Sequence, residues 1–285
     1  MNAIVTARGL SKRFGETKAL DNIDFTIAPG RIVGLIGPNG AGKTTALKAL
    51  LGLTRFEGDL DVMGYDPYRQ RAELMKKVCF IADVAILPRW LRVSQALDFV
   101  EGVHPQFSRE RAEFFLAKTQ ISHKQRVRTL SKGMVTQLHL AIVMAIDVRL
   151  LVLDEPTLGL DILFRKQFYE TVLGDYFDDQ RTIIVTTHQV EEIENILTDL
   201  IFINDGRIVL NESMDNVAEK YVELLVAPDR CDAARALGAI HEREILGKRL
   251  FLYEGVAKQQ LSELGELHRP SVADLFVAKM QGVAA

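Results

Sequence analysis

The chain has 285 residues, enough for one large α/β domain with a substantial core and something smaller beside it. Its 35 Lys and Arg against 38 Asp and Glu leave a formal charge of −3, so no global basic field argues for a nucleic-acid partner. Two cysteines without metal-like spacing, Cys79 and Cys231, point to free thiols in a reducing compartment.

The N-terminal residues lack a basic stretch followed by a signal-like apolar run, and no apolar run approaches the ~20 residues that span a bilayer. If the protein works at a membrane, another chain is expected to supply the membrane part. Residues 1–30 alternate apolar and polar positions, as at Ile23, Phe25 and Ile27, and turn at Pro29-Gly30, which predicts antiparallel strands. An apolar strand at 32–36 then runs into Gly37-Pro38-Asn39-Gly40-Ala41-Gly42-Lys43-Thr44-Thr45, followed by a helical segment at 46–51.

Between 74 and 145 the periodicity is helical, through 93–100 and 109–118, which predicts an inserted helical subdomain. The basic run Lys124, Arg126, Arg128 and Lys132 reads as a solvated face. Leu150-Leu151-Val152-Leu153 is an apolar strand ending in Asp154-Glu155. A helix around 164–173 crosses over to a second buried parallel strand at 182–187. An acidic helix begins at Gln189, and Asn204-Asp205-Gly206-Arg207 is a hairpin turn. From about 211 the pattern weakens into short strands at 221–226 and 249–253, helices at 233–237 and 256–264, and an amphipathic helix at 272–280. These read as a small α+β appendix over 212–285, beside a main domain over 1–211.

Two of these stretches specify one nucleotide site. The loop at 37–45 fits G-x-x-x-x-G-K-[ST] in a strand–loop–helix context. Its glycines let backbone N–H groups wrap phosphate oxygens, and the positive end of the following helix favours the anion. Lys43 supplies a cation for the β- and γ-phosphates, and the Thr44 hydroxyl is placed to ligate Mg²⁺. Asp154 is expected to hold the magnesium through water, and Glu155 to orient or deprotonate the attacking water beside the γ-phosphate.

With Leu130-Ser131-Lys132-Gly133-Met134 between those motifs, residues 3–212 resemble the ATP-binding subunit of an ABC transporter. The resemblance implies a P-loop fold with an antiparallel β subdomain, a RecA-like parallel core and the helical insertion. The usual signature is L-S-G-G-Q; the L-S-K-G-M variant is similar to those of subunits serving exporter-type permeases. Phe14 matches the aromatic that stacks on adenine. Ser131 can cap a helix whose N-terminus, with Lys132 and the Gly133 N–H, meets the γ-phosphate held by an opposing subunit. Asp161 matches the residue linking two active sites, and His188 the switch histidine that contacts the γ-phosphate. Where the family has a glutamine after 78–82, this chain has Asp83, an oxygen donor that could reach Mg²⁺.

The resemblance implies a Mg²⁺-dependent ATPase that closes as a homodimer, or as a pseudo-symmetric dimer with another ABC subunit, on two ATP molecules. It would drive a separate integral membrane permease, for export, from the cytoplasmic face of the membrane. The surface around Asp83, Leu87-Pro88-Arg89-Trp90 and the inserted helices is the expected permease dock. The alternatives are a soluble ABC ATPase acting on ribosomes or nucleic acid, and a regulatory subunit with little turnover. The transported substrate is chosen by the permease and is not in this sequence.

Overall fold

The computed structural model describes residues 3–81, 87–158, 160–171, 176–187 and 189–282. Strands β1 (Val5–Phe14) and β2 (Thr17–Ile27) form a hairpin, followed by β3 (Ile32–Ile36), helix α1 (Lys43–Leu50) and β4 (Glu57–Val62). A single turn, α2 (Arg71–Leu74), precedes β5 (Val78–Ile81). Helices α3 (Val93–Val103), α4 (Arg109–Ala117) and α5 (Lys132–Met144) then lead to β6 (Leu150–Asp154), α6 (Ile162–Thr171) and β7 (Thr182–Thr186). The hairpin β8 (Asp199–Asn204) and β9 (Arg207–Ser213) completes the main sheet. Beyond it lie α7 (Met214–Lys220), β10 (Tyr221–Val226), α8 (Cys231–Arg235), β11 (His241–Ile245), β12 (Lys248–Glu254), α9 (Lys258–Ser262), β13 (Glu266–His268) and α10 (Val272–Gly282).

The six-stranded sheet has the order β5-β6-β7-β3-β8-β9, with every pair parallel except the edge pair β8/β9. Its residues alternate between two cores, as period-two side-chain geometry requires. Val33, Leu35, Val152 and Ile184 pack with Leu47 and Leu50 of α1 and with Ile23 and Phe25 of β2. Ile32, Leu151, Leu153, Ile183 and Val185 pack on the opposite face with the helices after β5. The antiparallel sheet, β2-β1-β4, therefore covers one side together with α1. The turn Asp205-Gly206 has φ of 46° and 74°, the left-handed pair that a tight hairpin needs.

Three features differ from the sequence reading. Val78–Ile81, inside the span read as helical, is the edge strand β5, paired in parallel with β6. The expected helix at Gln189 is instead two single 3₁₀ turns, Val190–Glu192 and Glu194–Ile196. The terminal helix α10 also reaches beyond the C-terminal strands: Val272, Leu275 and Ala278 join the main core, and Phe276 meets Phe202 of β8 edge to face at 5.3 Å. The sheet β11-β12-β10-β13 keeps a small core of its own, with Val222, Leu224, Phe251 and Leu261. No helix among the described residues is long and apolar enough to cross a membrane.

Candidate functional site

The site forms where parallel strands end, the usual ligand position in an open α/β sheet. β6, β7 and β3 are neighbours, and their C-terminal ends present Asp154-Glu155, Thr186-Thr187 and the loop beginning at Gly37. That loop is seated tightly. A Cβ at Gly37 would lie 2.3 Å from the Ile203 carbonyl oxygen, and one at Gly42 2.4 Å from that of Ala19, so both positions require glycine. Gly42, with φ 111°, caps α1 and turns the chain into the helix, leaving the first-turn N–H groups aimed into a cleft of about 240 Å³. The cleft is lined by the loop from Asn39 to Thr45 and by Asp154 and Glu155.

Lys43 is buried and its ammonium donates to the Gly37 and Pro38 carbonyls at 2.7 and 3.1 Å. Burial pulls its pKa below the usual lysine value, opposed by Glu155 and Asp154. Asp154 accepts from two hydroxyls, Thr44 at 3.1 Å and Thr186 at 2.6 Å, which fixes both carboxylate oxygens. The Thr186 hydroxyl also accepts from the Glu155 N–H at 3.1 Å, and the Thr186 carbonyl accepts from the same N–H at 3.2 Å. These contacts hold Glu155 at φ 48°, a left-handed conformation that costs a non-glycine residue about 1–3 kcal/mol and so needs local over-determination.

Thr44 and Asp154 give a converging pair of hard oxygens. Mg²⁺ commonly takes one or two protein ligands of this kind and completes its shell with water and phosphate. Among the described residues no larger His, Cys, Asp or Glu cluster could hold a metal.

Of the other expected residues, those the structure describes lie outside this cleft. Phe14 ends β1 with its ring half exposed under the Lys12 ammonium, 4.9 Å from the ring centre. Ser131 caps α5 by accepting from the Met134 N–H at 3.2 Å; Lys132 and Gly133 begin that helix. Asp161 caps the start of α6 through the Phe164 N–H at 2.9 Å. A Cβ at Gly133 would lie 3.9 Å from Leu160, so the start of α5 abuts the Asp161 loop of the same chain. Asp83 and His188 lie outside the described residues.

Sequence reasoning missed Thr186, whose hydroxyl joins Asp154 to Glu155; its signal was a threonine ending a buried strand. It also missed Arg165, which bonds the Leu160 carbonyl through Nε at 2.8 Å and the Gln189 and Glu192 side chains through Nη1.

The ABC transporter family profile matches residues 20–158. Nod factor export ATP-binding protein I of Cupriavidus metallidurans is 32% identical over 317 residues, covering 99% of this chain and 98% of its own. Daunorubicin resistance ATP-binding protein DrrA3 of Streptomyces coeruleorubidus is 31% identical, covering 75% of this chain and 69% of its own. A solved ATP-binding subunit of an ABC transporter, 22% identical, superposes with a TM-score of 0.68 over 76% of this chain and 92% of that one, a likeness of fold. With the phosphate loop, the ordered carboxylate pair and a full-length relative in agreement, the chain belongs to the ABC transporter family and is one of its ATP-binding, ATP-hydrolysing subunits.

Proposed function

We propose that this chain hydrolyses ATP with Mg²⁺ at the 37–45 cleft and, as a dimer, powers export through a separate membrane permease. The observation that carries the ATPase part is the linked set Thr44–Asp154–Thr186–Glu155 at the rim of the phosphate loop. Lys43 and the α1 N-terminus bind the β- and γ-phosphates, and Glu155, held by β7, orients the attacking water and takes its proton. Thr44 and Asp154 would hold Mg²⁺, which when bound offsets charge on the phosphate oxygens. By the family resemblance, His188 would be the group for the γ-phosphate and Asp83 a further oxygen donor for the metal.

The signature supports dimer closure. Ser131, Lys132 and Gly133 do not line the nucleotide cleft of their own chain; in this reading their helix end meets the nucleotide of a second subunit, with Asp161 coupling the two sites and Phe14 stacking on adenine. The partner is a second copy or another ABC subunit. The named functions of the relatives, Nod factor export and daunorubicin resistance, support export over import and over a ribosome- or nucleic-acid-directed ATPase. Trp90, strongly exposed before α3, supports a permease dock at the helical insertion, which would bring the chain to the cytoplasmic face of the membrane.

The test is the solution mass of the Glu155→Gln chain. ATP should double it, and Ser131→Arg in the same background should return it to the monomer without changing ATP affinity. A mass that is indifferent to ATP would refute closure between two copies of this chain, and a dimer that survives Ser131→Arg would refute closure across the signature.

A further inference from the structure

Behind the nucleotide site lies a half-buried polar cluster that no role above uses. Arg165 projects from the first turn of α6, with 18% of its side chain exposed. Its Nε donates to the Leu160 carbonyl at 2.8 Å. Its Nη1 donates to Glu192 at 3.0 Å and to Gln189, whose backbone follows His188 directly. The fork thus spans two segments that leave adjacent parallel strands: the loop after β6, which follows Glu155 and ends in Asp161, and the turn after β7, which follows Thr186. Each segment has its own secondary tie. The Thr157 hydroxyl meets the Tyr169 hydroxyl of α6 at 3.3 Å inside the core, and the Gln189 N–H donates to the Thr187 hydroxyl at 3.0 Å. Across the gap between the segments, Arg165 is the bridge these bonds define.

The chemistry suits a rigid spacer. A guanidinium is planar, permanently charged and presents its donors in a fixed fork, so it can satisfy a carbonyl on one side and a carboxylate on the other. Glu192 depends on it. The second carboxylate oxygen, Oε2, is buried and has no hydrogen-bond partner among the described residues, so its charge is compensated chiefly by Arg165.

We infer that Arg165 is a positioning residue for ATP hydrolysis, holding the Leu160-Asp161 loop and the Gln189–Glu192 turn in fixed register so that Glu155 and Thr186, from whose strands these segments lead, keep their alignment. Arg165 itself touches no substrate. This rests on the ATPase reading above and adds to it the element that ties together the segments following Glu155 and Thr186. Small displacements of such walls are costly, because misplacement by about 1 Å can lower a rate on the order of 100-fold.

The experiment compares full-length wild type with Arg165→Lys, Arg165→Met/Glu192→Leu and the exposed neighbour control Lys166→Ala, measuring kcat and KM for ATP, nucleotide Kd and thermal midpoint. Lysine keeps a cation beside Glu192 and preserves folding, but a single ammonium cannot reproduce the fork. The double variant removes fork and buried charge together, so the fold does not carry an unpaired carboxylate. Both should lose roughly 10- to 100-fold in kcat, with Kd and KM within a few-fold, a midpoint within a few degrees, and Lys166→Ala unchanged. Wild-type kcat in Arg165→Lys and in the double variant would overturn the inference. So would a parallel loss of kcat, nucleotide affinity and midpoint, the mark of a purely structural residue. A parallel Glu155→Gln sample separates the two claims: full turnover there defeats the catalytic role given to Glu155, whatever the Arg165 variants do.

Discussion

Thr186→Val removes one hydroxyl from the buried end of β7 and keeps the branched shape. The lost bond to Asp154 is 2.6 Å long and ends on a carboxylate, a class worth about 1.5–3 kcal/mol net. The Glu155 N–H loses its 3.1 Å bond to the same hydroxyl but keeps the Thr186 carbonyl at 3.2 Å, so this second loss is smaller, about 0.5–1 kcal/mol. Together they predict a destabilisation of about 2–4 kcal/mol, a fall in thermal midpoint of roughly 5–10 °C for a chain of this size. Asp154 would then be held by Thr44 alone, and the strained Glu155 backbone would lose part of what fixes it, so kcat should fall with the midpoint. The assay is thermal unfolding by circular dichroism with phosphate release on the same preparations, and Thr186→Ser should restore most of both. A Thr186→Val protein that melts within about 1 °C of wild type and hydrolyses ATP at the same rate would refute the linkage.

Lys43→Met should abolish tight ATP binding, with Kd raised at least about tenfold, while the midpoint holds or rises because a buried ammonium is replaced by an apolar chain; unchanged affinity by calorimetry would contradict the assignment. Leu275→Ala in α10 should cost about 2–5 kcal/mol, since Leu275 is fully buried in the main core; a urea midpoint equal to wild type would show that the terminal helix is dispensable. Glu223, buried in β10, has its pKa raised to about 7 by burial and then by Asp274, against Arg243. Because the unfolded carboxyl ionises near 4.5, this group's contribution is complete below that pH and is lost as pH rises through about 7, by up to about 3 kcal/mol. Midpoints should therefore fall from pH 5.5 to 8 in wild type more steeply than in Glu223→Gln, and parallel curves would exclude Glu223 as the source.

Much of the site was legible because its chemistry is local in sequence. Gly37 to Thr45 carries its glycines, cation and hydroxyl within one turn of chain, and Asp154-Glu155 closes a run of four apolar residues. Ser131 was readable as a cap from its position before a helix. What escaped was set by distant partners. β4 alternates only over Asp59-Leu60-Asp61-Val62, a short stretch opened by Glu57-Gly58 on an exposed sheet edge, and β11 reads His-Glu-Arg-Glu-Ile without apolar alternation. β5 is a four-residue strand next to strong helical signals, fixed only by its pairing with β6. The Gln189 segment has helical composition, yet Arg165 binds both Gln189 and Glu192 from another element and the chain forms 3₁₀ turns there. Thr186 and Arg165 look ordinary until β6 and β7 are placed side by side.

In the proposed function Glu155 activates water at a nucleotide bound by Lys43 and the phosphate loop. Its most direct test is steady-state phosphate release by full-length Glu155→Gln, read beside its equilibrium ATP affinity. Affinity should stay within a few-fold of wild type while turnover falls by about 10²–10⁴-fold; near-normal hydrolysis in that variant would rule out this role for Glu155.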